Sequence, residues 1–256
     1  MTESDEILVR HDENNTVWIC INRAHKHNAL AGSILQGLAS AVGAAADSPD
    51  TKVVVIRGSG DRYFAAGGDL RELSAVRDVS ATHAMADNAR KALDTIRNCP
   101  VPVLAYINGD AIGGGAELAV ACDMRLQASH ARIGFIQAKL AISSAWGGGA
   151  DLFALVGAGR AMAMMARCEL IDSMRALEWG LADAEITDGE DGNDVKNFIE
   201  PFLRCSRPVL QAIKAQSIAW RSGQALSDRR EVEREQLLKT WLHADHWAAS
   251  DRFLMR

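Results

Sequence analysis

The chain has 256 residues, of which 48% are hydrophobic and 24% are charged, and its formal net charge at pH 7 is −5. A chain of this length can bury a core large enough to fold without disulfides or structural metals. The acidic balance argues against a nucleic-acid partner. The most apolar stretch, residues 111–122, is too short to span a membrane and contains Glu117, so we expect no membrane association.

The cysteines and histidines indicate neither a disulfide framework nor a metal site. The five cysteines are scattered, and no two of them have the close spacing of a metal or redox motif. The seven histidines likewise show no metal-ligand spacing. The N-terminal residues are acidic and lack the apolar stretch of a signal peptide. We therefore expect a cytoplasmic protein with free thiols and no bound metal.

Strand-like and helix-like segments alternate over the first three quarters of the chain. The β-branched run at residues 52–57 is typical of a strand that is buried on both faces. The predicted strands are residues 16–21, 52–57, 101–107 and 123–128, and the predicted helices are residues 30–46, 80–98 and 113–122, with a further helix beginning at Asp69. This alternation predicts an α/β fold with crossover helices.

The last quarter of the chain has a different pattern. Residues 188–193 form a predicted acidic loop, and the segments after it are helical, without a strand signal. Residues 231–242 are amphipathic, with Leu237, Leu238, Trp241 and Leu242 on one side. This segment is either an ordinary core helix or a helix that packs against another subunit.

Two glycine-rich segments are the strongest candidates for chemistry. Residues 64–70 and residues 108–117 each follow a predicted strand and precede a helical pattern. Backbone N–H groups at a helix start are unpaired, and the helix dipole there favours negative charge. Two such segments facing each other would form an oxyanion hole from main-chain donors. For either segment alone, tight packing or a turn with positive φ is the more ordinary explanation.

Glu117 is the one charged residue in an otherwise apolar helical run. Glutamate is almost never fully buried without partners. In a cleft, loss of hydration would raise its pKa and suit it to general acid or base catalysis near neutral pH. The alternative is a glutamate that only stabilises the helix dipole.

Three motifs together resemble the crotonase (enoyl-CoA hydratase/isomerase) superfamily: His-Asn-Ala-Leu at residues 27–30, Phe-Ala-Ala-Gly-Gly-Asp-Leu at residues 64–70, and Asn-Gly-x-x-x-Gly-Gly-Gly-Ala-Glu at residues 108–117, followed by Ala-Cys-Asp at residues 121–123. The resemblance implies an α/β fold in which a spiral of ββα units forms a core over residues 1–190. It implies a C-terminal all-helical trimerisation region over residues 191–256, and a homotrimer or a hexamer built as a dimer of trimers.

The same resemblance implies an acyl-CoA thioester as the substrate. The backbone N–H groups of Gly68 and Gly114 would bind the thioester oxygen, and Glu117 would donate or accept a proton. Coenzyme A would enter as part of the substrate, and no separate cofactor is expected. The residues implied to bind substrate or CoA are His27, Ala29, Ala66, Gly68, Asp69, Leu70, Gly114 and Trp146.

The chain departs from the hydratases of the superfamily at one catalytic position. Those enzymes carry a second glutamate in a Gly-x-Pro-Glu segment, whereas the matching residues 134–137 end in Gln137. Glutamine cannot titrate, so Gln137 would shape the pocket and donate an N–H group instead. Residues 145–148, which include Trp146, and residues 231–241 look more like the malonyl-type acyl-CoA decarboxylases of the superfamily.

Three functions are consistent with this pattern. The first is an enoyl-CoA hydratase/isomerase-family enzyme that hydrates or isomerises an enoyl-CoA through an enolate held by the oxyanion hole. The second is a decarboxylase of a methylmalonyl- or ethylmalonyl-type CoA. The third is a catalytically degenerate family member that only binds acyl-CoA, a reading motivated by the missing second carboxylate.

Overall fold

The computed structural model describes residues 6–187 and 193–255. Within these ranges the strands are β1 (Ile7–His11), β2 (Thr16–Ile21), β3 (Val53–Gly58), β4 (Tyr63–Ala65), β5 (Val103–Ile107), β6 (Asp110–Ile112), β7 (Met124–Ala128), β8 (Ile133–Gly134) and β9 (Ala184–Ile186). The helices are α1 (Gly32–Asp47), α2 (Leu70–Leu73), α3 (Val79–Arg97), α4 (Gly114–Ala121), α5 (Gly148–Val156), α6 (Ala158–Arg167), α7 (Ser173–Trp179), α8 (Asn193–Leu203), α9 (Arg207–Arg221), α10 (Leu226–Trp241) and α11 (Ala244–Leu254).

The strands form two sheets, and from β3 onward consecutive strands belong alternately to the larger and the smaller sheet. The larger sheet has the order β1-β2-β3-β5-β7-β9 and the smaller one the order β4-β6-β8. Apart from the antiparallel pair β1–β2, neighbouring strands are parallel. The pairs β3–β4, β5–β6 and β7–β8 each add one strand to the larger sheet, one to the smaller sheet, and then a helical segment. The α/β spiral of ββα units is therefore confirmed.

The core lies between the larger sheet and its crossover helices. Residues 53–56 of β3 and all of β5 are buried on both faces, as their continuous apolar runs predict. Helix α1 packs one stripe on the sheet, with Ile34, Leu38 and Val42 buried at helical spacing. The buried Asn108 joins the β5–β6 connection to the end of β3, because its side chain bonds both the N–H and the carbonyl of Gly58, each at 2.9 Å.

The predicted long elements are present, whereas the strands β1 and β9 and the three short strands of the smaller sheet were not predicted. The strand at residues 16–21 is confirmed as β2, and the helix predicted over residues 80–98 is α3. The strands β4, β6 and β8 have only two or three residues each, which is too short for an alternating pattern to be recognised. Residues 188–192 of the predicted acidic loop lie outside the described residues.

The last two helices expose their apolar side chains. Helix α8 contributes Val195 and Ile199 to the core, whereas no residue of α10 or of the described part of α11 is buried. The four apolar side chains at the end of α10 and just after it are 52–68% exposed (Leu237, Leu238, Trp241 and Leu242). The core-helix interpretation of this segment is therefore wrong, and packing against another subunit stays a prediction. None of the helices in the described ranges combines the length and hydrophobicity that crossing a membrane requires.

The close approach of α4 to β4 requires glycine at residue 115. A Cβ added to Gly115 would overlap the carbonyl oxygen of Ala65 and lie 2.9 Å from the Ala65 Cβ. We expect Gly115→Ala to reduce the free energy of unfolding by at least about 2 kcal/mol, since two backbone segments must separate. Urea denaturation measures the change.

Gly43 provides the matched control for this substitution. It lies within α1, and an added Cβ would meet nothing within 4 Å. Gly43→Ala should raise the free energy of unfolding by roughly 0.5–1 kcal/mol, because alanine favours helix. Equal effects of the two substitutions would contradict the packing that brings α4 onto β4.

Candidate active site

The two glycine-rich segments form tight connections between the smaller sheet and a helix. The backbone of Gly67, which follows β4, has φ +102°, and that of Gly113, which precedes α4, has φ +57°. Both values lie in the region that side chains other than glycine rarely adopt. Gly67 also lies against the second segment, because an added Cβ would be 3.4 Å from the amide nitrogen of Gly114. The two segments are therefore in contact.

The N–H groups of Gly68 and Gly114 have no hydrogen-bond acceptor within residues 6–187 and 193–255. The residues beside Gly68 are bonded: Leu30 donates to the Gly67 carbonyl at 2.8 Å, and Asp69 donates to the Leu30 carbonyl at 3.3 Å. Gly114 is the first residue of α4, where the intrahelical acceptor is missing and the dipole favours an anion. Both donors are free to bind an anionic oxygen.

The indole of Trp146 lies against both of these glycines. An added Cβ at Gly114 would be 2.7 Å from Trp146 Cη2, and one at Gly68 would be 3.5 Å from the same atom. Trp146 is 7% exposed. Gly68, Gly114 and Trp146, predicted from separate parts of the sequence, therefore meet at one place.

The other residues predicted to bind CoA lie beside Gly68, and the buried Arg23 holds them in place. Ala66 N–H donates to the His27 carbonyl at 3.1 Å. Arg23 donates to the Ala29 carbonyl at 2.6 Å and to the Asp69 carboxylate at 3.3 Å, and Asp69 caps the start of α2. The side chain of Leu70 is 60% exposed. These residues lie next to one another and form one continuous strip of surface beside Gly68.

The carboxylate of Glu117 is buried at the other end of the site and is only 2% exposed. Its Oε2 accepts the backbone N–H groups of Trp146 at 2.9 Å and Gly148 at 3.0 Å. Its Oε1 accepts Nε2 of Gln137 at 3.0 Å. Burial raises the pKa of Glu117 above its ordinary value, and the hydrogen bonds from Gly148, Trp146 and Gln137 only partly oppose it. No cationic side chain of the described chain forms an ion pair with this carboxylate.

The amide of Gln137 can form a hydrogen bond with Glu117 whether the Glu117 carboxyl group is protonated or ionised. With Nε2 donating to Glu117, the Gln137 Oε1 atom is buried and has no partner among the residues that the structure describes. If the amide turns over, Oε1 accepts a proton carried on Glu117 and Nε2 takes the place of the unpaired oxygen. The amide therefore allows Glu117 to hold or lose a proton without losing this hydrogen bond.

A cavity of about 560 Å³ adjoins these groups between α1, α2 and α3. Its wall is mainly aliphatic, with Leu35, Leu73 and Met85 among the lining residues. Asp69 and Trp146 line it as well, whereas Glu117, Gln137 and Gly114 do not. The Trp146 indole therefore lies where the cavity meets the two glycines.

Three residues that sequence reasoning missed complete the site. Gly148 donates to Glu117, and an added Cβ there would be 2.6 Å from the Glu117 side chain. Arg97 donates to the Trp146 carbonyl at 3.2 Å and to Asp151 at 2.9 Å. The glycine run at residues 147–149 was a usable signal for Gly148. Arg97 and Asp151 have no local signal, because their partners are about fifty residues away in the sequence.

Comparison with known proteins agrees with this geometry. The chain is 31% identical over 225 residues to an ethylmalonyl-CoA decarboxylase of Xenopus laevis, covering 87% of this chain and 75% of that protein. It is 34% identical over 192 residues to the mitochondrial methylglutaconyl-CoA hydratase of Mus musculus, covering 74% of this chain and 61% of that protein.

The structural comparison covers nearly the whole chain. An enoyl-CoA hydratase from Bacillus anthracis superposes with a TM-score of 0.91 at 26% identity, over 98% of this chain and 96% of that one. The sequence model described as enoyl-CoA hydratase/isomerase matches residues 11–255. Because that match spans almost the entire sequence, the chain belongs to the enoyl-CoA hydratase/isomerase family.

Proposed function

We propose that this enzyme forms the enolate of an acyl-CoA thioester, with the thioester oxygen bound by the N–H groups of Gly68 and Gly114. Both N–H groups lack an acceptor in the described chain, and the two glycines lie against the same Trp146 ring. A donor aimed at the oxygen where charge develops lowers the barrier by roughly 2.7–4 kcal/mol. The strip from His27 to Leu70 would hold the CoA moiety, and the adjoining cavity would hold the acyl group.

We propose further that the reaction is decarboxylation of a malonyl-type acyl-CoA. The observation that carries this choice is the pairing of Glu117 with the amide of Gln137 instead of a second carboxylate. Hydration through an acid and a base needs two titrating groups, and glutamine cannot be one of them. Decarboxylation needs no base in its first step. The ethylmalonyl-CoA decarboxylase relative supports the same choice.

The proposed steps use one proton donor. The bond between Cα and the substrate carboxylate breaks, CO2 leaves, and the electron pair becomes the enolate whose oxygen is bound by Gly68 and Gly114. Cα then takes a proton from Glu117, which regains one from water. A raised pKa keeps Glu117 protonated at a higher pH than an ordinary glutamate, so the donor is loaded when the enolate forms.

The assembly and location that go with this function are also proposals. The exposed apolar side chains of α10 and the residue after it support a homotrimer or a hexamer, in which they would be covered. We propose a cytoplasmic location from the cysteine usage. The hydratase relative in mouse is mitochondrial by name.

Hydration or isomerisation of an enoyl-CoA is the second candidate. The names of the hydratase relatives favour it, and Glu117 is present. Glu117 would then have to make both proton transfers alone, which predicts slow turnover. A third outcome is acyl-CoA binding without chemistry.

One experiment separates these functions. The protein is incubated with crotonyl-CoA, a 3-enoyl-CoA, methylmalonyl-CoA and ethylmalonyl-CoA, and the products are identified by mass spectrometry. We expect loss of CO2 from a malonyl-type ester. Gain of water by crotonyl-CoA, or a new isomer of unchanged mass, would replace this proposal with the second candidate. No reaction, with binding retained, would indicate the binding-only protein.

Replacing Glu117 by glutamine removes the proton donor and keeps its shape. The new amide oxygen can accept the N–H groups of Trp146 and Gly148, and Gln137 can turn over to accept its NH2 group. We expect kcat to fall roughly 10²–10⁴-fold while CoA-ester binding survives. Steady-state kinetics and calorimetric binding measure the two effects. Glu178→Gln, at an exposed carboxylate on α7, should change neither, and full activity of Glu117→Gln would contradict the assignment.

The same substitution also changes how stability depends on pH. Because the pKa of Glu117 is raised in the folded protein, the folded state binds this proton more tightly than the unfolded chain. Wild-type stability, relative to Glu117→Gln, should be greatest below the ordinary glutamate pKa and should decline as the pH rises through the raised value. Urea unfolding of both proteins across this range measures the difference. A difference that grows with pH would contradict the raised pKa.

Replacing Gln137 by glutamate tests the charge argument. A carboxylate at residue 137 would lie beside Glu117 and face the carboxylate of a malonyl-type substrate. Two like charges about 4 Å apart repel by about 1–4 kcal/mol, so kcat/KM for decarboxylation should fall roughly 10-fold or more. The variant also gains a second titrating group, and its hydration of crotonyl-CoA is measured in parallel. Unchanged decarboxylation would show that residue 137 does not face the substrate carboxylate.

A further inference from the structure

The segment that binds Glu117 is held from behind by one arginine. Arg97, the last residue of α3, donates to the Trp146 carbonyl at 3.2 Å, and Trp146 donates its own N–H to Glu117. The guanidinium also lies over the next residue, since a Cβ added to Gly147 would be 2.9 Å from Nη2 of Arg97. Arg97 thus determines where residues 146–148 lie.

A second arginine holds the helix that carries Glu117. Arg221, the last residue of α9, donates to the carbonyls of Val120 and Ala121 at 3.1 Å and 3.0 Å. These carbonyls belong to the last turn of α4, where C=O groups have no intrahelical N–H donor. Arg221 therefore contacts the helix that carries Glu117, and Arg97 contacts the segment that donates N–H groups to Glu117.

Asp151 joins the two arginines. Its Oδ2 is 2.8 Å from Nη2 of Arg97, and its Oδ1 is 2.9 Å from Nη2 of Arg221. The Asp151 side chain is 14% exposed and that of Arg97 is 13% exposed, so water screens the pair only weakly. The other charged partners are Asp94, which pairs with Arg97, and Asp123, which pairs with Arg221 and with the buried Lys214.

We propose that Asp151 is a positioning residue: through Arg97 and Arg221 it holds the Trp146–Gly148 backbone and the end of α4 in the register that lets both backbone N–H groups bind Glu117. The inference rests on the proposed function, in which Glu117 is the proton donor. It adds a group outside the pocket that sets the position and the proton affinity of that donor.

The physical reason is that the two N–H groups oppose the effect of burial on Glu117. Burial raises the pKa of this carboxyl, and the hydrogen bonds from Gly148 and Trp146 lower it. Asparagine at residue 151 would present an NH2 group to one of the two guanidinium groups, which are themselves donors only. The Trp146–Gly148 segment would then loosen, and weaker N–H bonds would raise the pKa of Glu117, whereas loss of the Asp151 charge by itself would lower it.

The experiment compares Asp151→Asn and Arg97→Lys with wild type. Glu117 is titrated by NMR in protein carrying 13C in its glutamate carboxyl groups, with the Glu117 signal identified by its absence from Glu117→Gln. We expect the midpoint to rise by about one pH unit in Asp151→Asn, with kcat lowered roughly 10- to 100-fold and KM little changed. Arg97→Lys keeps a cationic donor and should lie between Asp151→Asn and wild type.

Asp183→Asn is the matched control. Asp183 has an exposed carboxylate that pairs with the buried Arg125 at 3.0 Å, and it contacts none of the groups that bind Glu117. It should lower stability without moving the Glu117 midpoint. An unmoved or lowered midpoint in Asp151→Asn, or an equal shift in Asp183→Asn, would overturn the proposal. If Asp151→Asn does not fold, Arg97→Lys decides alone by the same midpoint.

The NMR titration needs no substrate, and it therefore separates this proposal from the proposed reaction. A moved midpoint together with no loss of CO2 from any malonyl-type ester would keep the positioning role and overturn the decarboxylase. The reverse result would keep the reaction and overturn the role of Asp151.

Discussion

The desolvated carboxylate of Glu117 is the constraint on which the rest of the site depends. A buried carboxylate is costly unless its oxygens are hydrogen-bonded, and here the partners are two backbone N–H groups and one amide. None of these partners carries a charge, so they stabilise the anion less than a cation would and leave the pKa of Glu117 raised. Residue 148 must be glycine for its backbone to come this close.

Close backbone approach is also what brings the two glycine segments together. Helix α4 lies directly on β4, with Gly115 against the Ala65 carbonyl, and this contact places the first N–H of α4 beside the segment after β4. The ββα repeat makes the approach possible, because β4 and β6 are neighbours in the smaller sheet and each ends at one of the two segments. The arrangement of the ββα units therefore sets the distance between the N–H groups of Gly68 and Gly114. Because glycine has no side chain, these N–H groups stay accessible.

The sequence predicted most of the site because its residues carry local signals. The two glycine-rich segments and Glu117 stand out by composition, whereas Gly68, Gly114 and Gln137 are singled out by the family resemblance. Arg97 and Asp151 could not be predicted, since an arginine at a helix end and an aspartate in a helix are ordinary until the tertiary contact is known. The fold shows the same division: long apolar periods predicted β2, β3, α1 and α3, whereas β4, β6 and β8 are recognisable only through their pairing.

Because Glu117 is paired with the neutral Gln137, the charge of this pair depends on the protonation state of Glu117 alone. Two carboxylates in contact would repel each other and a third carboxylate on the substrate. With an amide at residue 137, a protonated Glu117 leaves this corner neutral, and in the proposed reaction the amide would donate to the substrate carboxylate while it accepts the Glu117 proton. In the proposed decarboxylation, the negative charge would move from that carboxylate to the thioester oxygen, which we propose is bound by the N–H groups of Gly68 and Gly114. In the proposed reaction, one titrating group and two neutral donors would therefore favour the charge distribution after C–C cleavage over the one before it, which is the condition for catalysis.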